Sequence, residues 1–158
     1  MTTEASVDLV VFAVEGQRHA LPVPSVERVL WAVEVTRLPG APDIVLGAIN
    51  VRGRIVPVIN TRRRFGVCER PIREGDHFIV ARSLLRTLAL AVDAVEGMVS
   101  VSQSQIVASK DIVPGLDDLE GILKLDDGMI LVQDLDRLLS LDEEKALSKS
   151  LPAKGTRS

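Results

Sequence analysis

At 158 residues, with 46% apolar and 26% charged side chains, the chain has enough length for one well-buried core or for two small subdomains that share one. A formal charge of −3 is too close to balance to mark nucleic acid or an anionic membrane as the main partner. No apolar run approaches the roughly 20 residues needed to span a bilayer, there is no basic start followed by an apolar stretch, and the single Cys68 has no intramolecular disulfide partner; a reducing cytoplasm is expected, with any membrane association made through a partner.

The apolar class is mostly Val, Leu, Ile and Ala, with three Phe, one Trp and no Tyr, a bias that suits pleated strands. Residues 1–6 read as a flexible lead. Residues 8–15 are apolar at nearly every position, as expected of a strand covered on both faces. Gly16-Gln17 offers a tight turn into a second strand, and Trp31 is expected to pack in the core rather than to anchor an interface. A hairpin over 47–59 turns at Arg52-Gly53, after which Asn60 caps a short helix over 61–65. Cys68 falls in a connecting loop as an inert thiol.

Residues 77–83 repeat the doubly covered pattern of the first strand. A second hairpin over 121–132 is predicted to turn at Asp127-Gly128, and Asp134 caps a short helical turn over 135–139. Ser140 and Glu143 have capping-box spacing ahead of a helix from 141, and the chain beyond 148 reads as a frayed tail.

The chain also matches itself. Ala20-Leu21-Pro22-Val23-Pro24-Ser25-Val26-Glu27 recurs as Ala89-Leu90-Ala91-Val92-Asp93-Ala94-Val95-Glu96, and residues 47–58 align without a gap on 121–132. Both matches shift by about 70 residues in the same order, which indicates a duplicated unit with halves at 7–75 and 76–141. Short strands, Gly-centred turns and a duplication together imply two small antiparallel barrels packed side by side, which also removes exposed strand edges.

No phosphate-binding Gly loop, C-x-x-C, H-E-x-x-H or G-x-S-x-G is present, so neither a cofactor, nor a metal, nor a catalytic residue is expected. His19 and His77 lie in predicted strands without a nucleophile or carboxylate at a useful spacing and are expected to be strand-edge residues with wet tips. The charge distribution is more informative. Between Asp43 and Glu69 there is no acidic residue but there are Arg52, Arg54, Arg62, Arg63 and Arg64, whereas the matching stretch holds Glu120, Asp126, Asp127, Asp134 and Asp136. The halves are electrically opposite, and the first is expected to present a basic rim to an acidic protein surface. Without interleaved aromatics the arginines make a poor nucleic-acid site.

The run from Leu38 to Asn60, with its P-x-x-x-x-G-x-x-N-x-R-G-x-I-x-P-V pattern from Pro42 to Val58, resembles the signature of the CheW family, as does the segment from Val92 to Val99. The resemblance extends over about 7–141 and implies two five-stranded SH3-like barrels around a shared core; 142–158 are left to the terminal helix and disordered tail read from their own residues. It further implies a non-enzymatic scaffold, monomeric outside the array. One surface would meet the cytoplasmic tip of a chemoreceptor, and another the regulatory domain of a CheA-type histidine kinase. Carried over residue by residue, it places Val26, Gly47, Arg52 and Met98 at the receptor groove, and Ile106 and Ile112 at the kinase contact. Arg28 stands where many members carry Glu, and Asn60 where Asp is usual, so the partner's identity is less secure than the fold. The competing expectations are an adaptor for a non-chemotactic output, such as pilus motility or development, and a competitor that occupies receptors without activating kinase.

Overall fold

The computed structural model describes residues 5–108 and 119–151; Ile112 lies outside them. In chain order the strands are β1 (Ser6–Val14), β2 (Gln17–Pro22), β3 (Val26–Trp31), β4 (Val45–Val51), β5 (Arg54–Ile59), β6 (His77–Arg82), β7 (Thr87–Val92), β8 (Ala94–Ser102), β9 (Ile106–Ala108), β10 (Leu119–Leu125) and β11 (Gly128–Gln133). Two α-helices, α1 (Thr61–Phe65) and α2 (Leu141–Ser150), complete the regular structure with a few single 3-10 turns.

The strands form two sheets, ordered β8-β1-β2-β11-β10-β9 and β3-β6-β7-β5-β4. Edge residues from both sides of each sheet pack on one cluster: Val101 of β8 and Ile106 of β9 meet around Leu9, Val11, Leu123 and Ile130, while Leu30 of β3 and Ile49 of β4 meet around Phe78 and Val80. Each sheet therefore curls around its own core in the manner of a small barrel. The expected five strands are present in each, and the first sheet adds the three-residue β9. Pairing is antiparallel except for one parallel contact per sheet, β2 with β11 and β5 with β7.

Strand alternation explains the third, shared core. On β1, Leu9 and Val11 point into one barrel and Phe12 and Val14 point away from it; on β6, Phe78 and Val80 point in while Ile79 and Ala81 point out. The outward sets meet between the sheets with Leu88, Leu90 and Leu138, which is why these strands are apolar throughout. Helix α2 covers this seam with Leu147, fully buried, and begins with the expected capping box between Ser140 and Glu143.

The two sheets exchange strands. The chain leaves the first sheet after β2 and returns to it after β7, so each sheet takes strands from both sequence halves. Matching β1 to β6, β2 to β7, β3 to β8, β4 to β10 and β5 to β11 superposes one strand order on the other. Both matched segments, 20–27 on 89–96 and 47–58 on 121–132, obey this correspondence.

Two turns sit one residue earlier than expected. The first centres on Glu15-Gly16, with φ of 50° and 78°, and the second on residues 126–127, with Gly128 already opening β11.

Candidate functional site

The β4–β5 hairpin turns at Arg52-Gly53 as expected, with φ of 52° and 87°, and Asn50 Oδ1 accepts a 2.7 Å bond from the Gly53 amide. Left-handed backbone at both central positions matches the twist of the strands, and Asn or Gly adopts it far more readily than Arg. The Arg52 side chain is exposed and has no hydrogen-bond or ion-pair partner among the described residues.

The other four arginines of the basic stretch are paired within the chain, which corrects the expected basic rim. Arg54 Nη2 donates to Glu27 Oε2 at 2.6 Å, Arg63 faces Glu69 and Asp43 at 3.3 and 3.6 Å, and Arg64 pairs with Glu143 of α2 at 2.5 Å. Arg62 is buried. It donates to both Asp93 oxygens at 2.8 and 2.7 Å, to the Cys68 carbonyl at 2.7 Å and to Glu15. Asp93 also accepts from Arg70 at 3.0 Å and from the Glu15 amide at 2.8 Å, so the network ties the β1–β2 turn to the β7–β8 crossing. Of these five arginines, Arg52 is the one without an ion-pair partner among the described residues.

The remaining positions from the sequence fall on both sheets. Val26 starts β3 beside Glu27, whose bond to Arg54 holds that strand against the Arg52 hairpin, and its side chain is half-buried on the shared core. Met98 lies on β8, the edge of the other sheet, and is 65% exposed. Ile106 is half-buried on β9. Gly47 is buried, and a Cβ there would lie 2.2 Å from the Thr36 carbonyl oxygen; the close approach it permits is taken by the chain's own bridge between Thr36 and Ala48. Gly121, its counterpart in the repeat, does the same for β9.

Two expectations are corrected. His19 is not a strand-edge residue with a wet tip: it is 3% exposed, stacked between Phe12 and Phe65, with Nδ1 3.0 Å from Gln133 Nε2. Burial pulls its pKa down from 6.5 to about 4. The folded state thus favours the neutral ring, and that contribution is complete above pH 6.5 and falls away as the pH drops toward 4. About 2 kcal/mol should disappear between pH 7 and pH 5. Chemical denaturation across that range should show a shallower slope for His19→Phe than for the parent.

Trp31 is not core but 67% exposed, lying on His77 with ring centroids 4.3 Å apart. The signal was parity: β3 alternates half-buried and exposed, and Trp31 shares its face with Glu27 and Val29. His77 is half-buried, and its Nδ1 has no partner among the described residues.

Among the described residues no cluster of His, Cys, Asp or Glu is arranged to hold a metal, and no helix is long and apolar enough to cross a membrane. What the described surface offers is an unpaired guanidinium on a tight turn, apolar edge-strand side chains and an exposed indole. These are the parts of a protein-binding module on a paired-barrel scaffold.

Comparison with known proteins places that module. The CheW-like domain model matches residues 8–143, and the chain belongs to this family. It is similar to Chemotaxis protein CheW of Rhizobium meliloti (strain 1021), 29% identical over 146 residues that cover 91% of this chain and 94% of the relative. Among solved structures it resembles the scaffolding protein TtCheW from Thermoanaerobacter tengcongensis, with a TM-score of 0.80 and 29% identity, covering 88% of this chain and 96% of that one. A shorter similarity, 33% over 87 residues, joins it to Protein PilI of Pseudomonas aeruginosa, covering 55% of this chain and 49% of the relative.

Proposed function

We propose that this chain is a cytoplasmic coupling adaptor that joins the tip of a methyl-accepting-type chemoreceptor to the regulatory domain of a CheA-type histidine kinase. It reaches the membrane array through these partners and contributes contacts, not catalysis. In this reading Arg52, Val26 and Met98 meet the receptor, Gly47 shapes the strand beside them, and Ile106 with Ile112 meets the kinase. Coupling then follows from binding one kinase state better than another.

The observation that carries the proposal is Arg52. A long cationic side chain stands in a left-handed turn position that Asn would fill with less strain, and nothing within the described residues uses its charge. A helical hairpin tip offers carboxylates and helix-end carbonyls that a guanidinium can bind.

The test is a pair of substitutions read on two scales. Arg52→Asn should raise stability by about 0.5 kcal/mol, by suiting the turn, and weaken binding to a receptor signalling fragment about tenfold. Arg52→Glu should leave thermal unfolding nearly unchanged and weaken binding further. Lower stability with intact binding for both variants would make Arg52 a structural residue and remove it from the site. A second reading, an adaptor for a non-chemotactic output, has its support in the similarity to Protein PilI. Reconstitution separates the first reading from a competitor that occupies receptors without activating kinase, because only the first requires the kinase response to change when receptor and adaptor are added together.

A further inference from the structure

The repeat sets two clefts at equivalent places, where the chain crosses between the sheets, and they are filled differently. The first, lined by Leu46, Asn60, Arg62, Ala91 and Asp93, holds about 20 Å³. Arg62 occupies it, spread between the carboxylates of Asp93 and Glu15 and the Cys68 carbonyl. The second is a cleft of about 550 Å³ lined by Pro22, Ser25, Glu120, Gln133, Asp134 and Asp136, among others.

In the sequence match Leu46 corresponds to Glu120, Asn60 to Asp134 and Arg62 to Asp136. The apolar wall, the cap and the filling arginine have all become carboxylates. A turn amide still donates to a carboxylate, Glu15 to Asp93 in one cleft and Leu84 to Asp136 at 2.6 Å in the other. The lining cation is the exposed Arg82, and Arg137 pairs with Asp134 at 3.3 Å from its own turn.

A second observation lies in the lining itself. Gln133 is 1% exposed, and with its Nε2 on His19 its Oε1 is a buried acceptor that has no partner among the described residues. Burial first, and then the Asp134 charge, also hold the Glu120 carboxyl above its ordinary range.

We propose that this cleft seats an arginine side chain presented by a partner protein, in the position that the chain's own Arg62 takes in the equivalent cleft. Spread carboxylates and an amide oxygen suit a planar fork of N–H donors better than a compact ammonium. The inference rests on the fold and the repeat and does not require the receptor assignment of Arg52.

The probe is Nα-acetyl-argininamide, titrated into the full chain and followed by amide chemical shifts, with Nα-acetyl-lysinamide as comparison. Saturable shifts are expected at Leu84, Asp136 and the Gln133 side-chain amide, with the lysine probe binding several-fold more weakly. Glu120→Gln and Asp134→Asn should each weaken the arginine probe about tenfold. Asp134→Asn installs the side chain that caps the equivalent position at Asn60, so the turn keeps its acceptor. Shifts that fail to saturate, equal affinity for the two probes on the parent protein, or unchanged affinity in both variants would overturn the proposal. The probe comparison on the parent does not depend on either variant folding.

Discussion

Asp93→Ala is expected to lower the unfolding free energy by about 3–4 kcal/mol, measured by urea denaturation at neutral pH. The Arg62 side chain is 9% exposed and the Asp93 side chain 27%, so removing the carboxylate leaves a desolvated guanidinium whose partners among the described residues are Glu15 and the Cys68 carbonyl. Arg70 loses one of its two carboxylate partners, and the Glu15 amide loses its acceptor. The neighbouring arginine sets the contrast. Arg63 is 46% exposed, its contacts with Glu69 and Asp43 are long, and Arg63→Ala should cost less than about 1 kcal/mol. Similar losses for the two variants would mean that the buried network carries no more than a surface pair.

Gly47→Ala should be nearly as damaging, at about 3 kcal/mol or more, although it adds a single methyl group. That methyl would meet the Thr36 carbonyl oxygen at 2.2 Å and Val35 Cγ1 at 2.7 Å, and the φ of 153° disfavours any L side chain. The obstacle is backbone, so it cannot move without breaking the reciprocal bonds between Thr36 and Ala48, at 2.9 and 2.7 Å. Gly53→Ala offers a control with open space around the Cβ, where the left-handed turn at φ of 87° is the main cost, about 1 kcal/mol. If Gly47→Ala proves mild in the melt yet abolishes receptor binding, the glycine contacts the partner directly and the steric account is wrong.

Both predictions show how much of the site was legible in the chain. The R-G turn was readable because two left-handed residues in a two-residue hairpin leave a narrow choice of sequence, and the motif around it points to the family. The fate of the arginines was not readable. Arg62, Arg63 and Arg64 are consecutive and chemically identical, but Asp93, Glu69 and Glu143 reach them from separate parts of the chain. Their charge looked available because neighbours in sequence are not their neighbours in space. His19 and Trp31 failed for a related reason: a strand pattern shows which residues share a face, and only the sheet's surroundings decide whether that face is wet.

By itself the sequence determined the β class, the hairpins and the caps at Asn60, Asp134 and Ser140, because period-2 patterning, turn chemistry and capping act over a few residues. The tertiary structure decided how the two halves of the chain combine. Each half sends strands into both sheets, so the two crossings become equivalent clefts, and long-range pairing settled that one is sealed by Arg62 while the other stays open and acidic. Electrostatic pairing depends on distance through space, and strand exchange sets those distances.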